Sequence, residues 1–82
     1  MTQASSNRVT NSIRTLRFMK GEMTQQELAD RIDVTRQTVV AIEQGRYAPS
    51  LEIAFRIAEV FHCKMEEVFQ YLPPEKSKKA KK

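Results

Sequence analysis

The sequence predicts an all-α fold of five short helices in one domain. Apolar residues recur at intervals of three and four, four segments begin with residue types that cap helix N-termini, and two segments are followed by a glycine. A chain of 82 residues buries only about 60% of the surface that its unfolded form exposes, so its margin of stability is thin. We therefore expect an efficient core, self-association, or both.

The first helix is predicted from a candidate cap and a shared face. Asn11 is a plausible N-cap, and Ile13, Leu16 and Arg17 then lie on one side at helical spacing. Gly21 stands where a glycine can end the helix. A short extended piece is expected before this helix, at residues 7–10.

The second helix has the clearest start. Thr24 and Glu27 stand three residues apart and have the spacing of a capping box, in which each side chain bonds the other residue's backbone amide. The pattern predicts a helix over Gln25–Ile32. Its apolar stripe consists of Leu28, Ala29 and Ile32.

The third helix follows after a gap that has room only for a tight turn. Thr35 is its predicted N-cap, the helix extends to about Gln44, and Gly45 is in the position of a C-terminal glycine. Val39 and Ile42 lie three residues apart and should face inward. The side chains expected to face elsewhere are Arg36, Gln37, Val40, Ala41 and Gln44.

The last two helices come after a loop at residues 46–49. Ser50 is the predicted N-cap of a fourth helix over Leu51–Phe61, and a short fifth helix is predicted over Met65–Val68. The segment Phe69–Leu72 alternates like a strand, and a pair of prolines stops it. The core face predicted for the fourth helix is Leu51, Ala54, Ile57, Ala58 and Phe61.

The positive charge of the chain is concentrated at its C-terminus. The net charge is +4, but residues 75–82 carry five lysines and one glutamate, while residues 1–74 carry nine basic and nine acidic residues. We expect a frayed segment at 1–6, a domain at 7–74 and a disordered basic tail at 75–82. The tail could strengthen contact with phosphates or serve only for solubility, and the sequence favours neither.

Several classes of function are disfavoured by what the sequence lacks. Cys63 is the one cysteine, so an intramolecular disulfide is impossible, and it is expected to be a buried apolar residue rather than a redox sensor. His62 is the one histidine, and no metal-ligand cluster is visible near it. We therefore expect a protein that is not an enzyme and that binds neither a cofactor nor a metal. We also expect no signal peptide and no membrane-spanning segment, which fits a cytoplasmic protein.

The second and third helices have the outline of a helix-turn-helix, a pair of short helices joined by a very short turn. Arg36 and Gln37 lie in the first turn of the third helix, on a face with little to bury. Arginine and glutamine are the side chains that make paired hydrogen bonds to guanine and adenine edges in a DNA major groove. A solvated helix face is the alternative interpretation of these two residues.

Three motifs match a known family. They are Thr24-Gln25-x-Glu27-Leu28-Ala29, Val34-Thr35-Arg36-Gln37-Thr38-Val39 and Ile42-Glu43-x-Gly45-x-Tyr47-x-Pro49-Ser50-Leu51. In these motifs the chain resembles the Cro/C1 repressor (Xre-type) helix-turn-helix family, over roughly residues 11–69, which implies a lambda-repressor-like domain that binds DNA. The segment at 69–75, with the extended piece before the first helix, is further similar to short members of the cytolysin-repressor type, which implies a homodimer and a two-stranded β element formed by the two ends of the domain.

The resemblance also implies roles for individual residues. Arg36 and Gln37 would contact base edges, and the methyl group of Ala41 would meet a thymine methyl. Arg17 and Glu43 would form a partly buried ion pair. The residues implied to contact phosphates, or in the case of the threonines to cap, are Gln25, Thr35, Thr38 and Arg46. One departure is the loop at residues 21–23, which is one residue longer than the commonest form.

The resulting hypothesis is a sequence-specific transcriptional regulator, a homodimer that binds an inverted-repeat operator in double-stranded DNA. The alternative is an antitoxin-like or adaptor module that uses the same fold to bind a protein. Five apolar residues exceed what one small core needs and are candidates either for a self-association surface or for a larger core. They are Ile53, Val60, Phe69, Tyr71 and Leu72.

Overall fold

A computed structural model describes residues 8–72, and the expectations for residues 1–6 and 75–82 lie outside this range. Five helices and a two-stranded antiparallel sheet make up this part, which confirms the predicted fold class. The helices follow the sequence-based bounds closely. In chain order the elements are β1 (Val9–Asn11), α1 (Ile13–Met19), α2 (Gln25–Ile32), α3 (Arg36–Glu43), α4 (Leu51–Phe61), α5 (Met65–Val68) and β2 (Phe69–Tyr71).

Side-chain caps begin three of the helices as predicted. At α2 both bonds of the capping box are present, because Thr24 Oγ1 accepts from the Glu27 amide at 3.0 Å and Glu27 Oε1 accepts from the Thr24 amide at 2.8 Å. Thr35 caps α3 and Ser50 caps α4, each by accepting from the amide three residues on at 3.2 Å. Each cap supplies an acceptor for a backbone amide that has no partner inside its helix.

The predicted cap of α1 is wrong by one residue. Ser12 is the N-cap, without a side-chain capping bond, and Asn11 is the last residue of β1. Asn11 pairs with Phe69 in the sheet, so the helical conformation begins only after Ser12. The Asn11 side chain still accepts from the Ile13 amide at 3.1 Å.

The sheet joins the two ends of the described domain. β1 and β2 pair with Val9 opposite Tyr71 and Asn11 opposite Phe69. A two-stranded sheet is marginal by itself. Here it is held against the helices, because Phe69 packs on the hydrophobic core.

The core lies where all five helices meet. On α4 the prediction that Leu51 belongs to the core is wrong, since this residue is 71% exposed. The buried stripe of α4 is shifted towards Ile53 and Val60, which are half-buried against the core, so Leu51 lies at the margin of the stripe. Within residues 8–72 no helix is long and apolar enough to cross a bilayer. The largest fully buried side chains are Ile13, Leu28, Ile32, Val39, Ile42, Ile57 and Val68.

Candidate nucleic-acid interface

The turn between α2 and α3 fixes the relation of these two helices. Asp33 ends α2 in the left-handed conformation, with φ 63°, and the next amide, of Val34, donates to the Ala29 carbonyl at 3.0 Å. Arg56 of α4 donates to the Ile32 carbonyl at 2.9 Å, so the end of α2 is also tied to α4. Thr35 then begins α3 directly.

The exposed face of α3 carries the two candidate base-reading residues. Val39 and Ile42 are buried on the opposite side, which leaves Arg36 and Gln37 exposed in the first turn. Ala41 lies on the exposed side and is half-buried. At 100° per residue Val40 and Gln44 belong to the same face, so the face continues along the whole helix.

The two threonines at the start of α3 interact with each other. Thr35 Oγ1 accepts from the Thr38 amide, and the two hydroxyl oxygens lie 3.1 Å apart. This arrangement orients both hydroxyls beside the exposed first turn. Either hydroxyl can also take part in a hydrogen bond to an anion such as a phosphate.

An ion pair holds the other end of α3. Glu43 accepts from Arg17 Nε at 2.7 Å and from Arg17 Nη2 at 3.2 Å, and the two side chains are only 9% and 14% exposed respectively. Arg17 Nη1 also donates to the Met23 carbonyl at 2.8 Å. One guanidinium therefore connects α1, the loop before α2 and the last turn of α3.

Gln25 extends this network to α2. Its Nε2 donates to Glu43 Oε1 at 3.1 Å, so the carboxylate accepts from two other elements. A carboxamide nitrogen carries two N–H groups, so Gln25 can donate to Glu43 and to a further acceptor at the same time.

An open cleft beside Gln25 contains two residues that the sequence analysis did not assign to the site. Arg14 of α1 and Gln44 at the end of α3 line it together with Thr24 and Gln25. Gln44 could have been found from the sequence, since it lies seven residues after Gln37 and hence on the same face. Arg14 could not, because only the packing of α1 brings it to the cleft.

Arg46 lies just beyond α3, in the loop that the positive φ of Gly45 allows. Gly45 has φ 77° and its amide donates to the Ile42 carbonyl at 3.0 Å, while the Arg46 amide donates to the Ala41 carbonyl at 3.0 Å. The backbone of Arg46 is thereby fixed to the helix, and its side chain is exposed.

The remaining candidates for chemistry lie away from this face. His62 adopts the left-handed conformation that ends α4, with φ 56°. Cys63 is half-buried against the core, and burial, together with the Glu67 carboxylate, raises the pKa of its thiol. No group of three or more potential metal ligands occurs in the portion of the chain from 8 to 72.

Comparison with known proteins decides the family. A helix-turn-helix family model matches residues 13–68, which include all five helices. The chain belongs to the Xre-type helix-turn-helix family.

Similar sequences of this helix-turn-helix family occur in both archaea and bacteria. An uncharacterized HTH-type transcriptional regulator of Archaeoglobus fulgidus is 52% identical over 50 residues, which are 61% of this chain and 70% of that protein. Another, of Bacillus subtilis, is 48% identical over 59 residues, which are 72% of this chain and 88% of that protein. The family and these names indicate a DNA-binding transcriptional regulator rather than an enzyme.

Two solved structures share the fold of this helix-turn-helix protein. A hypothetical transcription factor from Neisseria has a TM-score of 0.62 and 24% identity, with 98% of this chain and 91% of that chain covered. A Bacteroides fragilis protein whose proposed activity is DNA binding has a TM-score of 0.65 and 18% identity, with 76% and 98% covered. At these identities the likeness concerns the fold alone.

Proposed function

We propose that this protein reads a specific DNA sequence with the exposed face of α3. The observation that supports this most strongly is the exposure of Arg36 and Gln37 in the first turn of α3. The other face of this helix is buried, and its last turn is held to α1 by the ion pair of Glu43. In helix-turn-helix proteins that turn contacts base edges. Ala41, one turn further on, offers a methyl group to a thymine methyl.

The residues that we propose to contact DNA phosphates lie around the exposed face of α3. Gln25 has a second N–H besides the one given to Glu43, and the hydroxyls of Thr35 and Thr38 lie at the start of α3. Arg46 lies at the other end, so the contacts would flank the base-reading turn. Such contacts position the protein on DNA and make its affinity fall with salt, without selecting a sequence.

We further propose that the protein binds an inverted repeat as a homodimer. Val9, Tyr47, Phe69 and Tyr71 form an apolar surface between the sheet and the loop after α3, here called the sheet–loop patch. Tyr71 is 64% exposed and Leu72, the residue after β2, is 53% exposed, and a contiguous group of exposed apolar side chains marks a candidate surface for a second copy. Two α3 helices related by such a contact would enter grooves about 34–36 Å apart, or a multiple of that distance.

Selection from random DNA tests the base-reading proposal. The purified protein is used to enrich bound duplexes, and the mass of the complex is measured. We expect one enriched motif with twofold symmetry and two protein chains per duplex. Enrichment of the same motif by a variant carrying both Arg36→Ala and Gln37→Ala would contradict the assignment of these residues.

Light scattering tests the sheet–loop patch. We expect Tyr71→Ser to shift the protein from dimer towards monomer, whereas Phe55→Ser, which changes another exposed aromatic residue on α4, should leave the dimer intact. Dissociation by Phe55→Ser and not by Tyr71→Ser would place the contact on α4 instead.

A second candidate function is a module that binds another protein. Leu51 and Phe55 lie one turn apart on α4 and are both largely exposed, which favours a partner on that helix. In that case a protein should co-purify with the wild type and be lost from the double variant Leu51→Ser, Phe55→Ser. Retention of that protein by the double variant would contradict this second function.

A further inference from the structure

The side chain of Asn11 connects two helices that are far apart in the sequence. Its Oδ1 accepts from the Ile13 amide at 3.1 Å, at the start of α1. Its Nδ2 donates to the Ile42 carbonyl at 2.9 Å, in the last turn of α3, across 31 residues. Since Asn11 is also a residue of β1, one carboxamide links the sheet, α1 and α3.

Asn11 donates to an Ile42 carbonyl oxygen that already accepts another hydrogen bond. The Gly45 amide donates to the same carbonyl at 3.0 Å as part of the turn that ends α3. A carbonyl oxygen has two lone pairs and accepts both bonds. The Asn11 bond is therefore not needed to satisfy the carbonyl, and its effect is to hold the end of α3 against β1.

We propose that Asn11 is a positioning residue for DNA reading, which acts by fixing the orientation of α3. The inference rests on the function proposed above. The first turn of α3, with Arg36, lies six residues from Ile42, or roughly 9 Å along the helix axis. A tilt of about 10° at the anchored end would move that turn by roughly 1.5 Å, more than precise recognition tolerates.

The other restraints on the end of α3 do not replace this one. Glu43 is held by Arg17 of α1 and by Gln25 of α2, on the side of the cleft. Asn11 acts on the neighbouring residue from β1. The packing of Val39 and Ile42 and the turn after α2 also restrain α3, and the Asn11 bond adds a restraint on the end of the helix that comes from the sheet.

The test uses Asn11→Ser and a matched control. A serine hydroxyl can still accept from the amide two residues on, that of Ile13, as in an ST turn, but its side chain is too short to reach Ile42. Gln70→Ser is the control, because Gln70 lies in the same sheet and also bonds α1 but not α3. Its Oε1 accepts from Ser12 Oγ at 3.4 Å, and its Nε2 donates to the carbonyls of Glu66 and Glu67 at 3.1 and 3.3 Å.

The measured quantity is a specificity ratio, the Kd for an operator with one base pair changed divided by the Kd for the operator itself. For the wild type we expect a ratio of roughly 5–150 at a base read by Arg36 or Gln37. Asn11→Ser should lower this ratio by roughly 2- to 30-fold. Gln70→Ser should not change it.

A purely structural role gives a different result. Loss of folded protein weakens binding to both duplexes equally and leaves the ratio unchanged, so an unchanged ratio in Asn11→Ser would overturn the proposal. A wild type that shows no discrimination at all would instead overturn the proposed function.

A measurement on the wild type covers the case in which Asn11→Ser does not fold. Exchange of the carboxamide hydrogens of Asn11 is followed by NMR in the DNA complex. The reference is the carboxamide of Gln26, which is exposed and donates to the exposed carboxylate of Asp30 at 2.9 Å, so it represents a hydrogen bond that is open to solvent. We expect slower exchange at Asn11. Exchange as fast as that of Gln26 would show that the bond to Ile42 is absent when the protein acts.

Discussion

Replacement of Glu43 by alanine should destabilise the protein severely. The carboxylate accepts three hydrogen bonds, at 2.7 and 3.2 Å from Arg17 and 3.1 Å from Gln25. Its removal leaves the Arg17 guanidinium, which is 14% exposed, without its counter-charge. Loss of one partner of a buried ion pair costs about 3–5 kcal/mol. A chain of 82 residues has a total free energy of unfolding of roughly 4–12 kcal/mol, so the variant should be close to unfolding.

Glu52→Ala provides the matched control. Glu52 forms an ion pair of the same length with Arg56, 2.7 Å, but the two side chains are 73% and 39% exposed. An exposed pair one helical turn apart contributes about 0.3–0.5 kcal/mol, and the position of Glu52 in the first turn of α4 adds a similar amount through the helix dipole. We therefore expect a loss below about 1 kcal/mol.

Urea denaturation followed by circular dichroism measures both variants. The midpoint should fall much further for Glu43→Ala than for Glu52→Ala, with the m-value unchanged. A double replacement, Arg17→Met with Glu43→Leu, should recover part of the loss because no buried charge is left unpaired. Equal destabilisation by Glu43→Ala and Glu52→Ala would refute the argument from burial.

Four further predictions concern single residues. Gln37→Ala should lose about 1–3 kcal/mol of binding at one operator base pair, and an unchanged binding profile across substituted operators would contradict its assignment. Arg46→Ala should weaken binding to all sequences alike and reduce the slope of log K against log salt by about 1, whereas a change at one base pair only would indicate base contact. Thr24→Ala should cost about 1 kcal/mol in urea denaturation through loss of the capping box, and a cost near zero would contradict this. Alkylation of Cys63 at pH 7 should be slower than that of free cysteine and accelerate as the pH rises, because burial raises the pKa of its thiol; equal rates would show that the thiol is accessible.

Helix bounds were predictable from the sequence because their signals are local. The caps at Thr24, Thr35 and Ser50 bond to amides only three residues away, so residue type and spacing are sufficient. At Asn11 the same reasoning was wrong by one residue. The strand partner that keeps Asn11 extended is Phe69, which is 58 residues further along the chain.

The candidate site was predictable to the extent that it depends on one helix. Burial of Val39 and Ile42 follows from spacing, and it leaves Arg36 and Gln37 on the opposite side. Arg14 belongs to another helix and reaches the cleft only through packing. The exposure of Leu51 was missed for a related reason, since a helix of mostly apolar residues does not reveal which margin of its stripe the neighbours cover.

The amino-acid sequence by itself determined which segments are helical and where the three helices with side-chain caps begin, because capping and helical periodicity act over three or four residues. Its motifs also determined which family the protein resembles. Only the tertiary structure decided how α3 is held: Glu43 accepts from two other helices, and Asn11 reaches Ile42 from the sheet. These bonds span 18 to 31 residues, and their partners become neighbours only when the core brings the helices together.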